Sequence, residues 1–247
     1  MDAGNRQVVI KKKMTGGAWL PCASLAFSIL LVLSFSVAQQ SVSDHAHAST
    51  KAVSSSQIWQ ELLEGNGRFI AGKPQARDLS KLRSTLATSQ HPKAIVLACS
   101  DSRVAPELLF DQSLGDLFVV RSAGNIADAI GVGSIEYAVE HLGSMVLVVL
   151  GHTKCGAVTA ACSREKMPTS GLQAIVNKIE PAVAKVDKTS HNDLIEAAIK
   201  ENVHQSAKDV LASSEVVRHA VEEGKLTVLE AEYELETGKI VLLDNGH

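Results

Sequence analysis

Two short segments carry side chains whose types and spacing suit a soft metal ion. Cys99 opens the run Cys99-Ser-Asp101-Ser-Arg103, and His152 and Cys155 lie three apart in Gly151-His152-Thr-Lys-Cys155-Gly156. Two thiols and one imidazole make a sulfur-and-nitrogen donor set that fits Zn²⁺. Three protein ligands would leave one tetrahedral position open, which distinguishes a catalytic site from a closed structural one. A His-x-x-Cys pair can reach one ion from a turn or the start of a helix, whereas Cys99 must arrive from a distant part of the chain. Each signal has a plainer reading alone. A cysteine behind an apolar strand is often a small core residue. A thiol beside an imidazole can also be a nucleophile with its base, although that leaves the second cysteine and the Asp101–Arg103 pair without a role.

The elements around these segments argue that they meet. Ala94–Ala98, Leu117–Val120 and Met145–Leu150 are short, continuous apolar runs rich in branched residues, the pattern of strands buried on both faces. A helical stretch from Ile130 to Leu142 separates the second from the third. Strand, crossover helix and strand imply an α/β fold with a mostly parallel central sheet flanked by helices. The first and third runs lead directly into the two chemical segments, and sites in open α/β sheets form at the carboxyl ends of strands. Elsewhere, Ser54-Ser55-Ser56 caps a helix from Gln57 that carries Ile58, Leu62 and Leu63 on one face and is interrupted at Asn66-Gly67. Residues 78–92 are polar and carry no assigned element. Residues 171–223 read as helical, with breaks near Pro181, His191 and Ser213, and a hairpin about Glu236-Thr237-Gly238 closes the chain. There is no internal repeat and no second domain.

Of the 247 residues, 45% are hydrophobic and 21% charged, which fits a globular protein and excludes a wholly disordered one. The first 38 residues hold Arg6, Lys11, Lys12 and Lys13 against Asp2, so the formal net charge of −3 leaves the remainder mildly acidic. Such a body lacks the clustered cations that nucleic-acid binding needs. Residues 18–38 are uncharged, follow the Lys11–Lys13 triplet and end in Ser36-Val37-Ala38, with Ala46-His47-Ala48 as a second exit. This pattern predicts a cleaved signal peptide over 1–38 and an exported, periplasmic or otherwise extracytoplasmic protein. The rival is an uncleaved membrane anchor, which about 20 apolar residues would allow. Residues 39–56 read as a flexible linker, and 57–247 as the folded domain. Cys99, Cys155 and Cys162 cannot all pair within one chain, so a disulfide framework does not account for them.

Taken together, Cys99-Ser-Asp101-Ser-Arg103 and His152-x-x-Cys155-Gly156 resemble the double signature of the β-class carbonic anhydrases. The likeness runs from about Ile58 to the C-terminus. It includes Phe118-Val-Val-Arg121-Ser-Ala-Gly124-Asn125 and Tyr233-x-Leu-x-Thr-Gly238-Lys-Ile-Val. The resemblance implies Zn²⁺ on Cys99, His152 and Cys155, with Asp101 and Arg103 as a catalytic dyad beside it. It implies reversible hydration of CO₂ to bicarbonate and a proton by a zinc-bound hydroxide, with Asp101 replacing the water as fourth ligand in a closed form. It implies a homodimer or higher homo-oligomer, with the N-terminal helix packed on the partner.

Gln90, Phe118 and Tyr137 match the substrate-pocket residues of the plant-like subgroup, and Gly156 belongs to the same pocket. His141, four residues after Tyr137 on one helix face, matches a suggested proton relay. Ser122 departs from the apolar residue many members carry. The rival among enzymes is hydrolysis of a CO₂ analogue, COS or CS₂, on the same site. A non-catalytic protein that binds zinc or bicarbonate is the rival from another class, and the intact Asp101 and Arg103 argue against it.

Overall fold

Strand order is what brings the two chemical segments together. The computed structural model describes residues 53–186 and 191–244. In chain order the elements are α1 (Ser55–Ile70), α2 (Leu79–Thr85), β1 (Ala94–Cys99), α3 (Pro106–Leu109) and β2 (Leu117–Ser122). A 3₁₀ turn (Ala123–Asn125), α4 (Ala129–Glu140), β3 (Val146–His152), α5 (Gly156–Ser163) and α6 (Ser170–Lys185) follow. The chain then forms α7 (His191–Ser213), α8 (Glu215–Glu222), β4 (Thr227–Tyr233) and β5 (Ile240–Leu242). The sheet order is β2-β1-β3-β4-β5. The first four strands are parallel and β5 is antiparallel to β4. β1 and β3 are therefore neighbours at the centre, and their carboxyl ends, where Cys99 and His152 sit, lie side by side.

Helices on both faces of the sheet explain the uninterrupted apolar runs, since every residue of β1 and β3 is buried. On one face, Ile58, Trp59 and Leu62 of α1 pack on Val96, Ala98, Val148 and Leu150. On the other, Ile95, Leu97, Leu147 and Val149 meet Ile135 of α4 and Val203 and Val210 of α7. A third cluster, of Val158, Ile179, Ala198 and Ile199 from α5, α6 and α7, surrounds Cys99 and Cys155. Among the described residues no helix is long and apolar enough to cross a membrane.

Tertiary contacts override several local signals. Asn66-Gly67 does not interrupt α1. The Asn66 side chain is buried and donates to the carbonyls of Leu109 and Gly238, at 3.0 and 2.8 Å, while it accepts from the Ile240 amide at 3.0 Å. Those bonds offset the weak helix propensity of asparagine. Ser54 and Gln57 form a reciprocal capping box, so Ser55 and Ser56 belong to the helix and not to the linker. The remainder of the linker reading, and the signal or anchor reading of 1–38, fall outside the described residues. Asp78 caps the short α2 within a stretch that had no assigned element. Pro181 lies inside α6 and does not end it, because the buried face of Val176, Ile179, Ala182 and Val183 holds the helix together.

Candidate metal centre

Each ligand candidate is placed by a turn with its own hydrogen bonds. Cys99 is the last residue of β1 and pairs in register with Ser122 of β2. The Ser100 amide then donates to the Ser122 carbonyl at 2.9 Å. His152 is the last residue of β3 and pairs with Tyr233 of β4. The Thr153 amide donates to the Tyr233 carbonyl at 3.0 Å, and the Thr153 hydroxyl accepts from the Leu235 amide at 3.0 Å. Lys154 takes a left-handed φ of 57°, which turns the chain so that Cys155 is the N-cap of α5. A Cβ placed on Gly156 would meet nothing within 4 Å, so space is open beside Cys155.

The two cysteine sulfurs and a ring nitrogen of His152 lie within 4.8 Å of one another, and all three residues are buried. The His152 Nδ1 is 2.9 Å from the Thr153 carbonyl, which fixes the proton on Nδ1. Among the described residues its Nε2 is buried with no hydrogen-bond partner. A buried, unpartnered acceptor is costly unless something outside the chain satisfies it. The thiols point the same way. The Cys155 thiol beside it, with help from His152 and the Gly124 and Asp101 amides, outweighs burial and pulls the Cys99 thiol well below its ordinary value. The same closeness, together with burial, pushes Cys155 up. A bound cation would favour the ionised form of both thiols. A soft divalent ion fits this donor set, and the family's zinc meets that test.

Asp101 and Arg103 stand at the rim. Asp101 Oδ1 accepts from the Arg103 amide and Nε, each at 2.9 Å, and Oδ2 accepts from Nη2 at 2.6 Å. This bidentate pair holds the Asp101 carboxyl well below the usual carboxylate range. Oδ2 lies 4.0 Å from His152 Nε2, so the carboxylate faces the ligand atoms. A residue to which spacing alone assigned no role completes the turn. Arg121 of β2 donates from Nε to the Cys99 carbonyl at 3.0 Å and from Nη2 to the Asp101 carbonyl at 2.8 Å. A cation closing an otherwise apolar strand, Phe-Val-Val-Arg, was the available signal. Ser122 also acquires a reason, since its hydroxyl donates to the Ile126 carbonyl and closes the turn after β2.

The remaining pocket residues gather elsewhere. Phe118 and Tyr137 have ring centroids 6.3 Å apart, and Tyr137 and His141 are 5.2 Å apart. Gln90 and Tyr137 line one surface cavity of about 530 Å³ together with Leu86 and Leu142. Phe118 is level with Ile95, four residues before the Cys99–Ser122 rung. At about 3.3 Å per residue that is roughly 13 Å along the strand. Tyr137 is 47% exposed. Within one chain, then, the structure unites Gln90, Phe118, Tyr137 and His141 with each other and holds Phe118 well back from the Cys99 rung. Cys162 is buried in the cluster around Cys99 and Cys155, and none of the three cysteines is in a disulfide.

Comparison with known proteins agrees with the chemistry. Residues 94–240 match the family model described as carbonic anhydrase. Carbonic anhydrase 2 of Mycobacterium tuberculosis is 40% identical over 193 residues, covering 76% of this chain and 92% of that one. The β-carbonic anhydrase of Coccomyxa, solved with acetazolamide, is 30% identical with a TM-score of 0.62, covering 74% and 84% of the two chains. One of two tetrameric β-carbonic anhydrases from Sordaria macrospora is 25% identical with a TM-score of 0.60, covering 75% and 96%. With its mostly parallel sheet, its Cys99–His152–Cys155 cluster and these relatives, the chain belongs to the β-class carbonic anhydrase family.

Proposed function

We propose that this chain catalyses the reversible hydration of CO₂ to bicarbonate and a proton, with zinc held by Cys99, His152 and Cys155. The observation that carries the reading is the convergence of three buried ligand atoms within 4.8 Å, faced by an ionised carboxylate 4.0 Å from His152 Nε2. Zinc bound there supplies Lewis acidity that makes water acidic enough to act as a nucleophile near neutral pH. The chain's own residues do the rest. Thr153 keeps the His152 proton on Nδ1, so Nε2 stays a donor to metal. Asp101, kept ionised by Arg103, accepts a hydrogen bond from water in the site and orients it. Both Asp101 oxygens are engaged by Arg103, which holds the carboxylate back from the ligand cluster. The open space at Gly156 and the cavity lined by Val120, Arg121, Ser122 and Ile126 give a small substrate room at the same end of the sheet.

The pocket is completed by a second copy of the chain. The partly exposed Phe118 and Tyr137, with Gln90, form a face suited to a symmetric partner, as in the plant-like subgroup, and the similar protein from Sordaria macrospora is a tetramer. His141, whose ring is tilted against that of Tyr137 at 5.2 Å, passes protons to solvent in that assembly. Residues 57–247 carry the activity, and the N-terminal segment exports them. Stopped-flow CO₂ hydration with zinc quantified on the same sample tests the central reading. Turnover that tracks zinc at about one ion per chain supports it, and zinc-loaded protein without CO₂ hydration sinks it. N-terminal sequencing of the exported form tests the segment, since an intact Met1 on membrane-bound protein would favour the anchor.

A further inference from the structure

One of the amides that reach the Cys99 sulfur belongs to an unusual turn. Gly124 N donates to Cys99 Sγ at 3.3 Å. Gly124 and Asn125 are both left-handed, at φ of 76° and 47°. Two such residues in succession, the second not a glycine, hold this shape only if their surroundings fix it. Packing fixes part of it, because a Cβ on Gly124 would come within 2.7 Å of Ile179 Cδ1. The polar restraint comes from far away in sequence. Asn202 of α7, 1% exposed, donates from Nδ2 to the Gly124 carbonyl at 2.8 Å and lies 3.4 Å from Asn125 Oδ1. No sequence signal marked it.

We propose that Asn202 is a positioning residue of the metal centre: it clamps the Gly124–Asn125 turn so that the Gly124 amide stays aimed at the Cys99 sulfur. The inference rests on the reading of Cys99, His152 and Cys155 as the zinc ligands. An amide bond to a coordinated thiolate draws charge off the sulfur and fixes its lone-pair direction, and outer-shell partners of this kind typically change metal affinity or activity by about 10–100-fold.

The test compares Asn202→Ala with Asn66→Ala in the purified holoprotein. Asn66 is also a buried helical asparagine, but its bonds reach Leu109, Gly238 and Ile240 and not the metal turn. Both variants should lower the melting temperature. Only Asn202→Ala should weaken zinc in chelator competition, by about tenfold or more, and shift the thiolate-to-cobalt charge-transfer band of the cobalt form to lower energy. Equal zinc affinity and an unshifted band in Asn202→Ala would overturn the proposal. Should that variant fail to fold, Asn202→Ser and the wild type still decide. In ¹¹³Cd-substituted wild type the Gly124 amide proton should show a through-hydrogen-bond coupling to cadmium that Asn202→Ser weakens, and its absence in the wild type would overturn the proposal. Wild type that holds no metal through Cys99 would instead sink the ligand assignment beneath it.

Discussion

The carboxyl ends of β1 and β3 and the outer face of β2 and α4 make an instructive pair. The first is finished inside one chain. Its candidate ligands are buried, its turns are tied by backbone bonds, and the Asp101 carboxylate is held at both oxygens by Arg103. The second has the expected residue types but leaves Gln90, Tyr137 and His141 exposed and Phe118 only partly covered, beside the edge strand β2. The difference is positional. Central strands are covered on both sides by the chain's own helices, whereas an edge strand is completed only by something added to it.

The largest effect should come from the finished end. Cys99→Ser removes a soft ligand from a three-ligand site, so zinc should be lost and activity should fall by more than the roughly 100-fold typical of outer-shell changes. Metal analysis beside stopped-flow rates checks this, and full zinc with full rate would break the contrast.

Next is the rim. Arg103→Ala should keep zinc yet lose about 100-fold in rate, the low end for a displaced acid–base group. The released Asp101 carboxylate is a good oxygen ligand and should join the metal, which X-ray absorption would detect as a changed light-atom shell. Asp101→Ala should be equally slow with the wild-type shell. Near wild-type turnover of Arg103→Ala between pH 7 and 9 would refute the gate.

The unfinished face should respond more weakly and only through assembly. Phe118→Ala should lower kcat/KM by about tenfold while zinc stays at wild-type level. Specific activity of the wild type should fall on dilution as sedimentation shows dissociation. A fully active wild-type monomer would show that the face takes no part.

The smallest effect on turnover is expected from Asp111, which lies apart from both regions. It is buried at 4% exposure with a left-handed φ of 44°, and it accepts from Arg68, Arg77 at 2.6 Å and the Gln75 amide at 3.1 Å. Burial pushes its carboxyl up, but the hydrogen bonds from Arg77 and Arg68 prevail and hold it at about 2. A folded-state value below the unfolded one, about 3.9, stabilises the fold above that pH, and the contribution is lost as pH falls through about 2. Asp111→Asn should therefore cost about 3 kcal/mol at pH 7, leave kcat unchanged, and match the wild type ever more closely as pH drops from about 4 to 2. Denaturant titrations across that range check the sign.

Much of this was legible in the chain itself. Two of the three apolar runs announced central strands, because β1 and β3 are buried on both faces, and the two signatures stood directly after them; the third, Leu117–Val120, was also read as buried on both faces but is the partly exposed edge strand β2. The sequence therefore determined the donor types and their place at strand ends, because these depend on residue chemistry and on spacing along one segment. It misplaced the breaks at Asn66 and Pro181, where local propensity yields to bonds and packing from distant segments. Only the tertiary structure decided that β1 and β3 are neighbours, that Arg121 spans from β2 to the Cys99 and Asp101 carbonyls, and that Asn202 reaches the Gly124 turn. Those contacts join residues 20 to 78 positions apart. A hydrogen bond between segments so far apart leaves no period in the sequence, because folding brings its donor and acceptor together from opposite sides of a sheet edge or from a covering helix.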